Sequence, residues 1–204
     1  DGILVPKVSS VEEIQAIADR LDSIGADPSI RVWTMIETAR AVLHAEELAA
    51  TSRDSRTRLA GFVFGPNDIS RETRIRMLPG RAAMLPLIAQ CILATRAYGL
   101  EILDGPYSDF SNFDGFGQEC TQGRDLGFDG KTLIHPGQIE ACNAIFTPPA
   151  EEVAHARKII AAFERPENAS RGAIQLDGQM VERLHAEMAA RTIAIADAIA
   201  AMGN

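Results

Sequence analysis

The stretch RVWTMIETARAVLHAEELAATSRDSRTRLAGFVFGPND, residues 31–68, decides the fold. It opens on the apolar run Val32–Ile36, passes through an amphipathic segment from Ala39 to Ala50, and closes on a second apolar run, Leu59–Phe64. Both runs are continuously apolar rather than alternating, which is the pattern of strands covered on both faces. Two such strands with a helix between them make a βαβ unit of a parallel sheet. A carboxylate follows each strand: Glu37 directly after the first, Asp68 shortly after the second.

The same alternation extends in both directions. Ile3–Val5, Glu101–Leu103 and Thr132–Ile134 read as further strands. Before the quoted unit, Val11, Ile14, Ile17, Ala18 and Leu21 share one helical face, and Ser10 with Glu13 forms a capping box ahead of them. After it, Arg81 to Tyr98 reads as a helix stopped by Gly99. Lys7, Glu37, Asp68, Asp104 and His135 all follow strand ends. In a (β/α)8 barrel those ends converge on one rim, where the chemistry sits. An open sheet would gather them at a single switch point, and no G-x-G-x-x-G follows any strand, so the barrel is the better reading.

Past His135 the character changes. Pro148-Pro149 leads into a helix from about Ala150 to Phe163, Arg165 to Gly172 is polar, and Ala173–Leu176 with Asp177-Gly178 precedes a long helix carrying Met180, Leu184, Met188, Ile195 and Ile199. The expected organisation is therefore a barrel part over residues 1–146 and a helical extension over 147–204. The extension is too small for an independent core, so it should pack on the barrel or on a neighbouring subunit.

Composition narrows the function classes. With 46% hydrophobic and 24% charged residues the chain has the balance of a globular domain. A formal charge of −8 works against binding nucleic acid or an anionic membrane. No apolar run approaches the ~20 residues of a membrane span. Three widely spaced cysteines, Cys91, Cys120 and Cys142, form no zinc or disulfide framework and point to a reducing cytoplasm. The chain opens on Asp1-Gly2 with no initiator Met and runs straight into a strand, so further residues are expected in front of it.

Glu37 and Asp68, if their strands are neighbours, point into one mouth and offer hard oxygen ligands suited to Mg2+. Equally, Glu37 could cap the next helix and Asp68 could close an Asx-turn. The turns Asp104-Gly105-Pro106-Tyr107 and Gly127-Phe128-Asp129-Gly130-Lys131 could bring backbone N–H groups or the Lys131 ammonium to phosphate, or be turns and nothing more. His135 could be a base or a hydrogen-bonded structural residue. Asp177 reads first as a turn residue before the final helix. Hydrolase elbows, zincin motifs and Walker loops are absent from the sequence.

Six stretches taken in order carry more. They are Gly2-Ile-Leu-Val-Pro-Lys7, Met35-Ile-Glu-Thr-Ala-Arg40, Phe64-Gly-Pro-Asn-Asp68, Leu103-Asp-Gly-Pro-Tyr-Ser-Asp-Phe110, Gly127-Phe-Asp-Gly-Lys-Thr-Leu-Ile-His-Pro136 and Leu176-Asp-Gly-Gln-Met180. Together they resemble the citrate lyase β-subunit and malyl-CoA lyase family of CoA-ester lyases. The resemblance implies a (β/α)8 TIM barrel of which the chain covers about strands 4–8. The family's first three βα units, with an Arg that grips the substrate carboxylate, have no counterpart here.

It further implies Glu37 and Asp68 as Mg2+ ligands and Asp177 as the acid/base, reaching into the site of an adjacent subunit in a trimer or hexamer. Asp104 and Lys131 remain candidate contacts to the CoA thioester. The family often has Asp two residues after the motif Met, where Glu182 stands here. The implied activity is Mg2+-dependent cleavage or formation of a carbon–carbon bond in a 3-hydroxyacyl-CoA, such as malyl-CoA to acetyl-CoA and glyoxylate, with a CoA thioester and a small oxo acid as partners. Thioester hydrolysis of malyl- or citramalyl-CoA, citramalyl-CoA lyase, a citrate lyase β-subunit and an inactive binding subunit are the alternatives.

Overall fold

The computed structural model describes residues 1–168 and 170–202, and the chain divides into two compact units, Asp1–Phe146 and Thr147–Asn204. The first unit runs β1 (Gly2–Val5), α1 (Val11–Ser23), β2 (Arg31–Ile36), α2 (Ala39–Leu43), α3 (Ala45–Ala50), β3 (Leu59–Phe64), α4 (Pro66–Thr73), α5 (Leu85–Ala97), β4 (Glu101–Asp104), α6 (Phe113–Leu126), β5 (Gly130–Lys131) and α7 (Ile139–Phe146). Its five strands form one parallel sheet in the order β1-β2-β3-β4-β5. Each strand lies beside the next in sequence with no reversal, so the sheet has no switch point. It is an arc of a barrel wall, and all strand C-termini share one rim.

Register separates the two sheet faces. Thr34 pairs with Phe62 and Ile36 with Phe64, while Phe62 in turn pairs with Ile102. Ile36, Phe62, Phe64 and Ile102 belong to the main core with Ile14, Leu48 and Ile88, so this face carries the helices. On the other face lie Leu4, Trp33, Gly61, Val63 and Leu103, related by the pairs Leu4–Trp33, Trp33–Gly61 and Val63–Leu103. Gly61 is needed there because a Cβ would stand 2.5 Å from the Trp33 ring.

In the first unit three elements differ from the sequence expectation. The helix from Ala39 to Ala50 breaks at His44, whose backbone (φ −103°, ψ 17°) leaves the helical region. The helix expected from Arg81 begins only at Leu85: Arg81 is left-handed (φ 51°), and its side chain is buried against β4. The strand expected at Thr132–Ile134 is instead Gly130–Lys131. Thr132 still donates to the Asp104 carbonyl, but β4 ends there, and Ile134 N–H turns to the Gln138 side chain. The capping box of α1 is present as read, with the Ser10 and Glu13 side chains each bonded to the other's backbone.

The second unit holds α8 (Ala150–Glu164), β6 (Ala173–Leu176), β7 (Gln179–Glu182) and α9 (Arg183–Met202). β6 and β7 form an antiparallel hairpin closed by Asp177 (φ 48°) and Gly178 (φ 83°), two positive angles as in a type I′ turn. Contrary to the expectation that this segment is too small for a core of its own, Ile159, Phe163, Ile174, Val181 and Ala189 make one within it. Met180 therefore belongs to a strand and is exposed, not part of a helical stripe, and Leu184 and Met188 on α9 are exposed as well. Among the described residues no helix is long and apolar enough to cross a membrane.

Candidate functional site

Glu37 stands at the C-terminal end of β2 and Asp68 in the first turn of α4, just past the end of the adjacent β3. The helix-capping alternative for Glu37 does not hold: Thr38 caps α2, its hydroxyl accepting from Ala41 N–H at 3.0 Å. Glu37 is buried, 4% exposed, and its Oε1 accepts the Lys7 backbone N–H at 2.8 Å. Beneath it lies Gly65, where a Cβ would meet the Glu37 Cβ at 2.4 Å and Oε2 at 3.1 Å. The carboxylate thus lies across a position that only glycine leaves open.

Asp68 gains from the positive end of α4, where a carboxylate is favoured. Its Oδ1 is 2.7 Å from Arg71 Nη2 and 3.8 Å from Lys7 Nζ, with the side chain 32% exposed. Lys7 therefore touches both carboxylates, one through its backbone and the other through its ammonium. A second tie fixes α4 to the end of β2: Glu72 Oε2 accepts the Ala39 N–H at 3.1 Å. The structure thus brings Glu37 and Asp68 together around one residue on one rim.

That donor set is two carboxylates with hard oxygens. Among the described residues no group of three or more His, Cys, Asp and Glu side chains is placed to hold a metal. Mg2+ is commonly held by one or two carboxylates, with water and substrate completing its octahedron, so the pair fits that ion and does not fit a structural zinc site.

Asp104 and Lys131 also come together, on the other side of the sheet. Asp104 pairs in register with Lys131, two positions along from Ile102 on the helix-facing side. Their side chains are fully buried, with Lys131 Nζ 3.0 Å from Asp104 Oδ2 and 2.8 Å from Glu119 Oε1. Arg81 Nη1 donates to both Asp104 oxygens at 2.8 and 2.9 Å, and its Nε donates to Gln122. Two cations and two anions balance in a buried cluster, an arrangement that tolerates no missing member.

The cluster also reaches the rim. Asp104 Oδ1 accepts the Gly105 N–H, and a Cβ on Gly105 would strike Pro66, the first residue of α4.

Asp177 belongs to the second unit, at the hairpin turn rather than directly before α9, with its side chain 63% exposed and 3.7 Å from Lys158 Nζ. His135 stacks on Phe110 (centroids 5.2 Å apart) and accepts the Gly137 N–H on Nδ1. All three cysteines are buried. Burial pushes the Cys91 thiol up to about 12. The hydrogen bond between Cys120 and Cys142 raises the former and lowers the latter.

Sequence reasoning set Lys7 on the rim without giving it a role, and it missed Gly65 as the floor under Glu37 and Arg81 and Glu119 as partners of Asp104 and Lys131. The run Phe-Gly-Pro-Asn-Asp held a signal for Gly65, since a glycine at a strand end marks a close approach. No local pattern marks Arg81, whose partner is 23 residues away.

Comparison with known proteins shows the family. The chain is 46% identical over 203 residues to a (3S)-malyl-CoA thioesterase of Cereibacter sphaeroides, covering 100% of this chain and 67% of that protein. It is 32% identical over 187 residues to the citrate lyase subunit beta of Escherichia coli, covering 89% of this chain and 61% of the relative. The chain thus spans about two thirds of the length of these curated relatives. Among solved structures it resembles the protein CitE of Mycobacterium tuberculosis in complex with magnesium, acetoacetate and coenzyme A. That match has a TM-score of 0.64 and 23% identity, covering 95% of this chain and 78% of that one, and at such identity it speaks for the fold alone. The HpcH/HpaI aldolase/citrate lyase description matches residues 1–136, more than half of the chain, and with relatives at these identities the chain belongs to the HpcH/HpaI aldolase/citrate lyase family.

Proposed function

We propose that this chain supplies the Mg2+-binding rim of an enzyme that hydrolyses a 3-hydroxyacyl-CoA thioester of the malyl-CoA type. The observation that carries the reading is the convergence of Glu37 and Asp68 on Lys7 above the bare Gly65. Support for the substrate class comes from the relative that carries the name (3S)-malyl-CoA thioesterase, matched along the entire chain. This shifts the weight from the carbon–carbon lyase expectation to hydrolysis.

In this reading Glu37 and Asp68 hold Mg2+, which when bound supplies Lewis-acid polarisation of a substrate oxygen. The rest falls to the protein. Thr38, bonded to Ser9 at 2.8 Å, and Glu72 lock the strand ends so that the carboxylates keep their places. Asp177 carries the proton in the site of an adjacent copy, accepting it from the water that attacks the thioester carbonyl. The bond from carbon to sulfur then breaks, and the thiolate takes up a proton to leave as CoA. Asp104 and Lys131 act through Gly105 and Pro66 on α4, rather than touching phosphate. The active assembly in this reading is a homo-oligomer.

Carbon–carbon cleavage is the second reading, favoured by the likeness to citrate lyase subunit beta. There Asp177 would protonate the departing enolate instead. The full-length protein given malyl-CoA, with and without Mg2+, separates the two. Hydrolysis predicts free thiol and malate without glyoxylate. Glyoxylate in equal amount to acetyl-CoA would establish the lyase, and thiol release unchanged in EDTA would remove the metal from the scheme.

A further inference from the structure

Lys7 follows the end of β1 with a left-handed backbone, φ 57°. That conformation is costly for lysine and free for glycine. The bend turns the Lys7 N–H onto Glu37 Oε1, which a glycine would do equally well. What a glycine lacks is the ammonium, and the ammonium stands 3.8 Å from Asp68 Oδ1 on a side chain that is 60% exposed. One strained residue therefore faces both carboxylates of the pair. Strain of this kind, kept where a better backbone residue exists, points to a task for the side chain.

We propose that Lys7 is the internal counter-ion of the Glu37–Asp68 pair: without a divalent ion its ammonium offsets the charge of Asp68, and a divalent ion entering the pair displaces it to solvent. This rests on the metal-ligand reading of the two carboxylates. The exposed stem lets the ammonium swing away while the backbone bond to Glu37 stays intact. Arg71, on the same oxygen at 2.7 Å, is a second cation whose contact is to Asp68, whereas Lys7 also holds Glu37 through its backbone N–H. Lys7 competes with the ion, so its removal strengthens binding of the ion rather than weakening it.

Two measurements on the full-length protein test this. Calorimetric titration with Mg2+ alone should give a dissociation constant lowered about 1.5- to 5-fold in Lys7→Gly, the range expected for an exposed ion pair. Lys7→Met, which keeps the stem without the charge, should follow it. The sequence has three lysines, so acylation mapped by mass spectrometry supplies its own controls: Lys131 is buried and Lys158 is 64% exposed. Saturating Mg2+ should raise labelling of Lys7 relative to Lys158 and leave Lys131 silent. Unchanged or weaker Mg2+ affinity in both variants, or a Lys7 to Lys158 ratio indifferent to Mg2+, overturns the counter-ion role while leaving the ligand reading intact. Absence of Mg2+ binding to the wild-type protein overturns both.

Discussion

Replacing Gly65 by alanine is the sharpest structural perturbation of the site. The added Cβ would lie 2.4 Å from the Glu37 Cβ and 3.1 Å from Oε2. Carbon atoms pack at about 3.5–4.0 Å, so Glu37 and position 65 must part by about 1.1–1.6 Å. Gly65 cannot easily retreat, because its N–H donates to the Ile36 carbonyl at 2.9 Å in continuation of the sheet ladder. Glu37 must move instead, and its carboxylate is tied to Lys7.

Overpacking of this size costs about 1–3 kcal/mol, and displacing a positioned group by 1 Å can reduce turnover ~100-fold. Urea denaturation and Mg2+ calorimetry on the same preparation separate these effects. Gly172→Ala is the control, since nothing lies within 4 Å of a Cβ there and its φ is not positive. A Gly65→Ala protein with the control's stability and unaltered Mg2+ affinity would refute the claim that Glu37 is seated on Gly65.

Asp177→Asn keeps the hairpin, because Asn-Gly suits a type I′ turn at least as well as Asp-Gly; thermal stability should hold while thioester turnover falls ~100-fold or more, and full turnover would remove Asp177 from proton transfer. Asp104→Asn leaves two buried cations facing one carboxylate and should lower unfolding free energy by about 3–5 kcal/mol, read from urea midpoints. A change below 1 kcal/mol would contradict the buried cluster. Cys91 gives a pH dependence: its folded thiol is pushed up to about 12 from an ordinary 9.0, so between these values the unfolded chain ionises and the folded one does not. Stability should therefore fall as pH rises above 9, by about 1.4 kcal/mol at pH 10, and Cys91→Ala should lose that increment.

Much of the wall was legible in the sequence, because buried parallel strands are continuous apolar runs. Leu59–Phe64 reads as a strand from composition alone, and Glu37 and Asp68 follow from where such strands stop. What escaped depends on register and distance. Asp104 and Lys131 each follow or lie near a strand end, but one step in strand parity decides between the open face and the helices, and β5 begins earlier than its apolar residues indicate. The Arg81 segment has the composition of a helix, yet a buried ion pair with Asp104 holds it in a left-handed turn. The β6–β7 hairpin had its signal in Asp177-Gly178, overlooked because Met180 also fits the apolar spacing of the following helix.

The location of a bound divalent ion tests the central claim most directly. Crystals of the full-length protein grown with Mn2+ in place of Mg2+ should give one strong anomalous peak within bonding distance of carboxylate oxygens from both Glu37 and Asp68. A peak bound to only one of them, a peak elsewhere, or none at saturating Mn2+ would contradict the account.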